Sequence, residues 1–139
     1  MKLNGKKTLV LDLDETLIHA DRHQKVDNPE IVPDFEICVR QVYTTYINIR
    51  PGVEEFLKEM DKCYNVIIFT ASIIEYAYKI MNVIDPKKIC RKIYWRRDCT
   101  KYNGQYVKDL KDLKIDLKDV IIIDNLPAHT NFNLSVEYL

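Results

Sequence analysis

Apolar and polar positions along this chain fall into blocks. Thr8-Leu9-Val10-Leu11, Val66-Ile67-Ile68-Phe69-Thr70 and Val120-Ile121-Ile122-Ile123-Asp124 are short, apolar and rich in β-branched residues, with no polar alternation. Such runs read as strands buried on both faces. Lys92-Ile93-Tyr94-Trp95 reads as a shorter fourth strand. Between the first two, Pro51 and Gly52 open a helix in which Val53, Phe56, Leu57 and Met60 recur at helical spacing. After the second strand, Ser72 and Glu75 make an S-x-x-E capping box ahead of Ile73, Ile74, Ala77, Ile80, Met81 and Ile84. Asp85-Pro86 then stops that helix. A third, short helix is expected from about Lys108 to Leu113. Strands alternating with helices predict an α/β fold built on a doubly wound parallel sheet. The order is βαβα with two insertions. In residues 20–50, Phe35-Glu36-Ile37-Cys38-Val39 and Val42-Tyr43-Thr44-Thr45-Tyr46-Ile47 look like an inserted β-hairpin, placed to shape the mouth of a site.

Composition narrows the function class. The chain has 139 residues, 47% of them hydrophobic, which fits a single domain over 1–139. Its 21 basic and 21 acidic residues cancel, so bulk attraction to nucleic acid or to an anionic membrane is not expected. Cys38, Cys63, Cys90 and Cys99 lie far apart and form no C-x-x-C pair. Reduced, buried thiols in an intracellular protein are expected rather than a zinc site or disulfide framework. No apolar run is long enough to span a bilayer, and the stretch before the first strand is too short for a signal peptide. With glycine only at Gly5, Gly52 and Gly104, a Gly-rich nucleotide loop is excluded. Any phosphate chemistry here proceeds without a P-loop.

The candidate chemistry sits at strand ends. The first strand runs into Asp12-Leu13-Asp14-Glu15-Thr16, which delivers two carboxylates to the carboxyl edge of the sheet, where open α/β folds bind ligands. Side chains alternate in a strand, so Asp12 and Asp14 share a side only while the chain stays extended. Two such charges persist together only with a cation between them or a proton on one. The second strand ends at Thr70, ahead of a helix N-terminus that favours an anion. The last strand along the chain ends in Asp124-Asn125, oxygen donors suited to Mg²⁺. Lys108 precedes that strand. Singly, these residues read as turn acids, a helix-start threonine and a solvated lysine. Together they point to one site. His19 and His23 have zinc-like spacing but read as loop histidines. The basic run from Lys87 to Arg97 reads as the charged flanks of a half-buried strand.

Asp12-Leu13-Asp14-Glu15-Thr16-Leu17-Ile18-His19 resembles the first motif of the haloacid dehalogenase superfamily. More narrowly, it resembles the branch of carboxy-terminal-domain phosphatases that act on phosphoserine and phosphothreonine in proteins. Arg50-Pro51-Gly52-Val53 through Leu57 is similar to that family's helix after its inserted hairpin. Phe69-Thr70-Ala71-Ser72 with Tyr76-Ala77, Tyr106-Val107-Lys108-Asp109-Leu110 and Ile123-Asp124-Asn125-Leu126-Pro127 resemble its second, third and fourth motifs. The resemblance implies a nucleophile at Asp12, an acid and base at Asp14, and phosphate contacts from Thr70 and Lys108. It implies Mg²⁺ held by Asp12, the Asp14 carbonyl, Asp124 and Asn125, with Arg96 also reaching substrate phosphate. Ala71, Ile73 and Tyr76 are expected beside the substrate, Ile73 and Tyr76 as an apolar pocket for a residue flanking the phosphate. The implied partner is a phosphoprotein, with the RNA polymerase II carboxy-terminal repeat as leading candidate, in nucleus or cytoplasm. Leu126 departs from the family, where many members carry serine.

Other classes remain open at this point. A receiver-like switch also combines an acidic pair with Asp, Thr and Lys, but places the phosphorylated Asp before Thr and Lys. A small-metabolite phosphatase of the same superfamily usually carries a larger cap than these insertions allow. A scaffold that lost activity is the remaining alternative. The carboxyl end is short relative to the family, which leads to an expectation of low thermal stability or association through an open sheet edge.

Overall fold

The computed structural model describes residues 3–22, 32–125 and 130–131. Its centre is a four-stranded sheet of β1 (Lys7–Leu11), β5 (Tyr64–Phe69), β6 (Ile93–Tyr94) and β9 (Val120–Ile123) in the order β6-β5-β1-β9, every pairing parallel. These are the four strands predicted from their apolar runs. Counted along the chain, the first of the four lies between the second and the last. The strand order therefore reverses between β1 and β9, and ligands of open α/β sheets bind at the carboxyl ends of such a pair.

Two apolar clusters explain why these runs lack polar alternation. Leu9 and Leu11 with Val66 and Ile68 point into one cluster, completed by Val53 and Leu57 of α1 (Val53–Cys63) and by Ala77, Ile80, Met81 and Ile84 of α2 (Ile74–Ile84). Val10, Ile67, Phe69, Val120 and Ile122 point the other way, onto Leu110 and Leu113. With both faces covered, every position of the run gains from being apolar. Gly52, at φ 87°, makes the left-handed turn that starts α1 after Pro51. The buried Asp85 ends α2, its carboxylate accepting from the Ile89 N–H at 2.9 Å and the Cys90 N–H at 2.8 Å.

The first insertion is larger than a hairpin. β3 (Phe35–Val39) and β4 (Tyr43–Ile49) pair antiparallel as expected, across a turn in which Arg40 and Gln41 both take left-handed φ. A third strand, β2 (Ile18–Asp21), adds to the far side of β4. The helix expected from Lys108 to Leu113 is corrected. Lys108 lies in β8 (Gln105–Asp109), paired antiparallel with β7 (Thr100–Tyr102), and only a 3₁₀ turn, Leu110–Leu113, follows. A two-residue strand β10 (Thr130–Asn131) pairs parallel with β8. The basic run becomes the flanks of β6, with Lys92 over the Tyr94 ring and Arg97 over the Trp95 ring.

The thiols are also corrected in part. Cys38 and Cys63 are exposed, whereas Cys90 and Cys99 are half-buried, and all four are free. Burial pushes the Cys99 thiol up to about 11. No helix among the described residues is long and apolar enough to cross a membrane. The expectation of an open edge beyond β9 concerns residues 126–129 and 132–139, outside the described residues, as do His23 and Leu126.

Candidate active site

β1 ends at Leu11, and the Asp12 N–H donates to the Ile123 carbonyl at 2.9 Å, which carries the parallel ladder one residue further. The chain then folds back on itself. The Leu13 carbonyl accepts from the N–H groups of Thr16, Leu17 and Ile18 at 3.3, 2.9 and 3.2 Å. Glu15 takes a left-handed φ of 62°, a conformation costly for a residue with a Cβ. Arg50 holds this turn from outside: its Nε donates to the Thr16 carbonyl at 2.6 Å, and its backbone N–H donates to the Leu17 carbonyl at 2.9 Å.

Folding back separates the two acids. Asp12 points into the protein, where Lys108 Nζ donates to its Oδ1 at 2.7 Å and Thr16 Oγ1 donates to its Oδ2 at 3.1 Å. The same Nζ donates to Asp124 Oδ2 at 2.5 Å, so the lysine bridges the ends of β1 and β9. All three side chains are nearly inaccessible: 1% exposed for Lys108, 8% for Asp12 and 4% for Asp124. Burial raises the Asp12 carboxyl above its ordinary range; the Lys108 charge and hydrogen bond oppose this, and the neighbouring Asp124 adds to it.

Asp14 faces the other way. Ser72 Oγ donates to its Oδ2 at 2.9 Å, and the Tyr76 hydroxyl donates to its Oδ1 at 2.5 Å. The S-x-x-E capping box is therefore not formed. α2 begins after Ile73 with no side-chain cap, Ser72 serves Asp14, and Glu75 meets Arg40 at 3.4 Å. Burial, followed by the Asp14 charge and hydrogen bond, pushes the Tyr76 phenol well above its usual range and keeps it a proton donor. Sequence spacing put Tyr76 beside the substrate but gave no sign that its hydroxyl, with that of Ser72, holds Asp14.

Thr70, 1% exposed at the end of β5, accepts the Ser72 N–H on its Oγ1 at 3.1 Å. Arg96 reaches the same corner, its Nε donating to the Ala71 carbonyl at 2.9 Å and its guanidinium lying 4.8 Å from the centre of the Tyr106 ring. Ile73 lines a cleft shared with Asp14, Ser72, Tyr76 and Arg96. His19 lies on β2 rather than a helix, and its Nδ1 meets Glu15 at 2.5 Å.

Asn125 completes the arrangement. The end of its amide that faces the acids lies 2.8 Å from Asp12 Oδ2 and 3.3 Å from Asp124 Oδ1. With the amide nitrogen there, both contacts are hydrogen bonds. With the amide oxygen there, three oxygens converge, and such a set needs a cation. Two carboxylates and an amide that can turn its oxygen toward them are donor types that suit a hard divalent ion, with the Asp14 carbonyl in the adjoining turn.

Comparison with known proteins bears on the family and the fold. The chain is 40% identical over 129 residues to Phosphatase PSR1 of Saccharomyces cerevisiae, covering 93% of this chain and 30% of that protein. It is 37% identical over 129 residues to the human CTD small phosphatase-like protein, covering 93% of this chain and 46% of that one. The chain thus spans less than half the length of these relatives. Among solved structures, that of Fcp1, an essential RNA polymerase II CTD phosphatase, superposes with a TM-score of 0.72 at 24% identity, covering 95% of this chain and 42% of that one. This likeness shows a shared haloacid dehalogenase-like fold. The family profile of NLI interacting factor-like phosphatases matches residues 7–137, nearly the whole chain, and the chain belongs to that family.

Proposed function

We propose that residues 1–139 form a single catalytic domain of a Mg²⁺-dependent phosphoprotein phosphatase, acting on phosphoserine and phosphothreonine through an aspartyl-phosphate on Asp12. One observation carries the proposal: a buried carboxylate at the switch point, paired at 2.7 Å with a buried lysine that also holds Asp124. Asp12 attacks phosphorus and displaces the serine or threonine oxygen. Asp14, two residues on and turned toward the open cleft, gives that oxygen its proton and later takes one from the attacking water. Lys108 keeps Asp12 ionised despite its burial and donates to phosphoryl oxygens, while Thr70 and the backbone at Ala71 supply oriented donors. Arg96 adds a cation at the rim. Removing one such charge or donor typically costs two to three orders of magnitude in rate, roughly 3–4 kcal/mol.

Asp12, the Asp14 carbonyl, Asp124 and Asn125 are the groups that would hold the metal. When bound, Mg²⁺ offsets the repulsion between a carboxylate nucleophile and a phosphate dianion.

The substrate class follows from family membership and from the shape of the insertion. Among the described residues the three strands β2, β3 and β4 flank the site and leave a cleft open beside it, and an open cleft suits a protein segment. Relatives carry names such as "Probable C-terminal domain small phosphatase", in Dictyostelium discoideum, and the RNA polymerase II carboxy-terminal repeat is our leading candidate substrate, reached in nucleus or cytoplasm. The test is a panel of phosphoserine, phosphothreonine and phosphotyrosine peptides with sugar phosphates, with and without Mg²⁺, run beside Asp12→Asn. We expect the serine and threonine peptides to give the highest kcat/KM and Asp12→Asn to fall to background. Near-normal turnover by Asp12→Asn refutes the mechanism, and a higher kcat/KM on sugar phosphates assigns the chain to metabolite chemistry.

A further inference from the structure

A cleft of about 260 Å³ opens beside Asp14, between the inserted sheet and the start of α2. The wall from α2 and its approach carries Ser72, Ile73 and Tyr76. The opposite wall comes from β2 and β4 and the residue after β2: Ala20, Arg22, Tyr43 and Thr45. From sequence, Ile73 and Tyr76 predict an apolar pocket here. The structure instead makes it polar and cationic.

Three features define what it accepts. Arg22 stacks over the Tyr43 ring, its guanidinium carbon 4.3 Å from the ring centre, which holds a cation on the cleft wall. Arg96 also lines the cleft, so two arginines and one carboxylate border it, and Asp14 already accepts two hydroxyl donors. Thr45 is 2% exposed, and its Oγ1 has no hydrogen-bond partner among the described residues. A buried hydroxyl without a partner is unfavourable, and such groups usually mark a missing water or ligand.

We propose that this cleft is a second anion subsite, which takes a carboxylate or phosphate on a substrate residue flanking the phosphoresidue. Arg22 supplies the charge, Thr45 the donor, and Tyr43 fixes the Arg22 guanidinium. The proposal rests on the phosphatase reading, because the cleft shares Asp14 with the reaction centre. It replaces an apolar flanking-residue pocket with one that selects acidic or multiply phosphorylated segments. Chain charge gives no hint of this, since 21 bases balance 21 acids over the whole sequence.

The experiment uses phosphoserine peptides identical except at one flanking position at a time, which carries Glu, Gln, Pro or a second phosphoserine. At one position at least, Glu and phosphoserine are expected to exceed Gln in kcat/KM by about five- to tenfold, the scale of one partly screened charge-assisted contact. The Glu-to-phosphoserine ratio tells which anion is the better occupant. Added salt should shrink the preference. Arg22→Ala should bring the Glu-to-Gln ratio to within about twofold, Arg22→Lys should retain part of it, and Thr45→Val should lower it. A wild-type ratio near one at every position overturns the proposal, as does a preference for Pro or an Arg22→Ala ratio equal to wild type. Binding of the same peptides to Asp12→Asn, read by fluorescence anisotropy, separates the two claims. Acid-selective binding without wild-type turnover supports the subsite and refutes the phosphatase reading. Flat binding with normal turnover does the reverse.

Discussion

Replacing Lys108 with methionine tests the centre of the site most directly. The side chain is 1% exposed and touches two acids that are 8% and 4% exposed. Methionine matches its length, so the perturbation is electrostatic rather than a cavity. Without metal, Asp12 and Asp124 then face each other buried, without the lysine charge between them. Breaking a buried pair in this way typically costs about 3–5 kcal/mol, a large share of the roughly 5–15 kcal/mol that holds an ordinary domain. Mg²⁺ should restore much of it, because the local charge changes from one net negative to two. A unit charge about 4 Å away at an effective dielectric near 20 is worth about 4 kcal/mol, so the metal should bind the variant at least tenfold more tightly than the parent. At a hundredfold excess over its dissociation constant it contributes about 2.7 kcal/mol. Urea unfolding with and without Mg²⁺ reads stability, and titration calorimetry reads affinity. Turnover should fall at least a hundredfold even when stability is restored. Equal unfolding midpoints for parent and variant in chelator, or unchanged Mg²⁺ affinity, would show that Lys108 does not compensate these acids.

Chelation should abolish turnover, and Ca²⁺ should not replace Mg²⁺, since it accepts more ligands at longer distances; full activity in chelator refutes the metal assignment. Asp85→Asn removes one acceptor from the pair that ends α2 and should cost about 1–3 kcal/mol in urea unfolding, without changing which phosphopeptides are preferred. Thiol alkylation at pH 8 should modify the exposed Cys38 and Cys63 first. Cys99, raised to about 11 by burial, should react slowly and gain rate steeply as pH climbs toward that value, while equal labelling of all four contradicts the burial.

The parallel strands and their acids were legible because burial on both faces leaves an unmistakable apolar run, and Asp12 and Asp124 interrupt such runs at the sheet edge. The sequence marks Lys108 as a candidate site residue but points to a helix there, where the structure has a strand. Gln105 to Asp109 is only five residues long, and its strand character depends on pairing with β7 rather than on its own pattern. The strand β2 was missed for a similar reason: Ile18-His19-Ala20-Asp21 is half polar, because one side of it borders a cleft. Ser72 carries a true capping signature in sequence. Only the approach of Asp14, 58 positions away along the chain, diverts its hydroxyl. No local pattern encodes such a competition between partners.

Asp12 and Asp14 have the same side chain two positions apart, yet the fold gives them opposite surroundings. The chain leaving β1 sets one against a lysine inside the protein and the other against two hydroxyls at the cleft. In the proposed reaction this division is what the chemistry needs. A nucleophile must stay ionised in a place from which water is excluded, and only a fixed positive charge keeps a buried carboxylate so. An acid that later acts as a base must exchange protons with substrate and water, so it belongs at an open cleft, oriented by neutral donors. Arg50 braces the turn that follows both acids, since the carbonyls it holds are those of Thr16 and Leu17. The identity of the two acids is thus set by sequence, and the difference between them by the turn and the elements packed on either side of it.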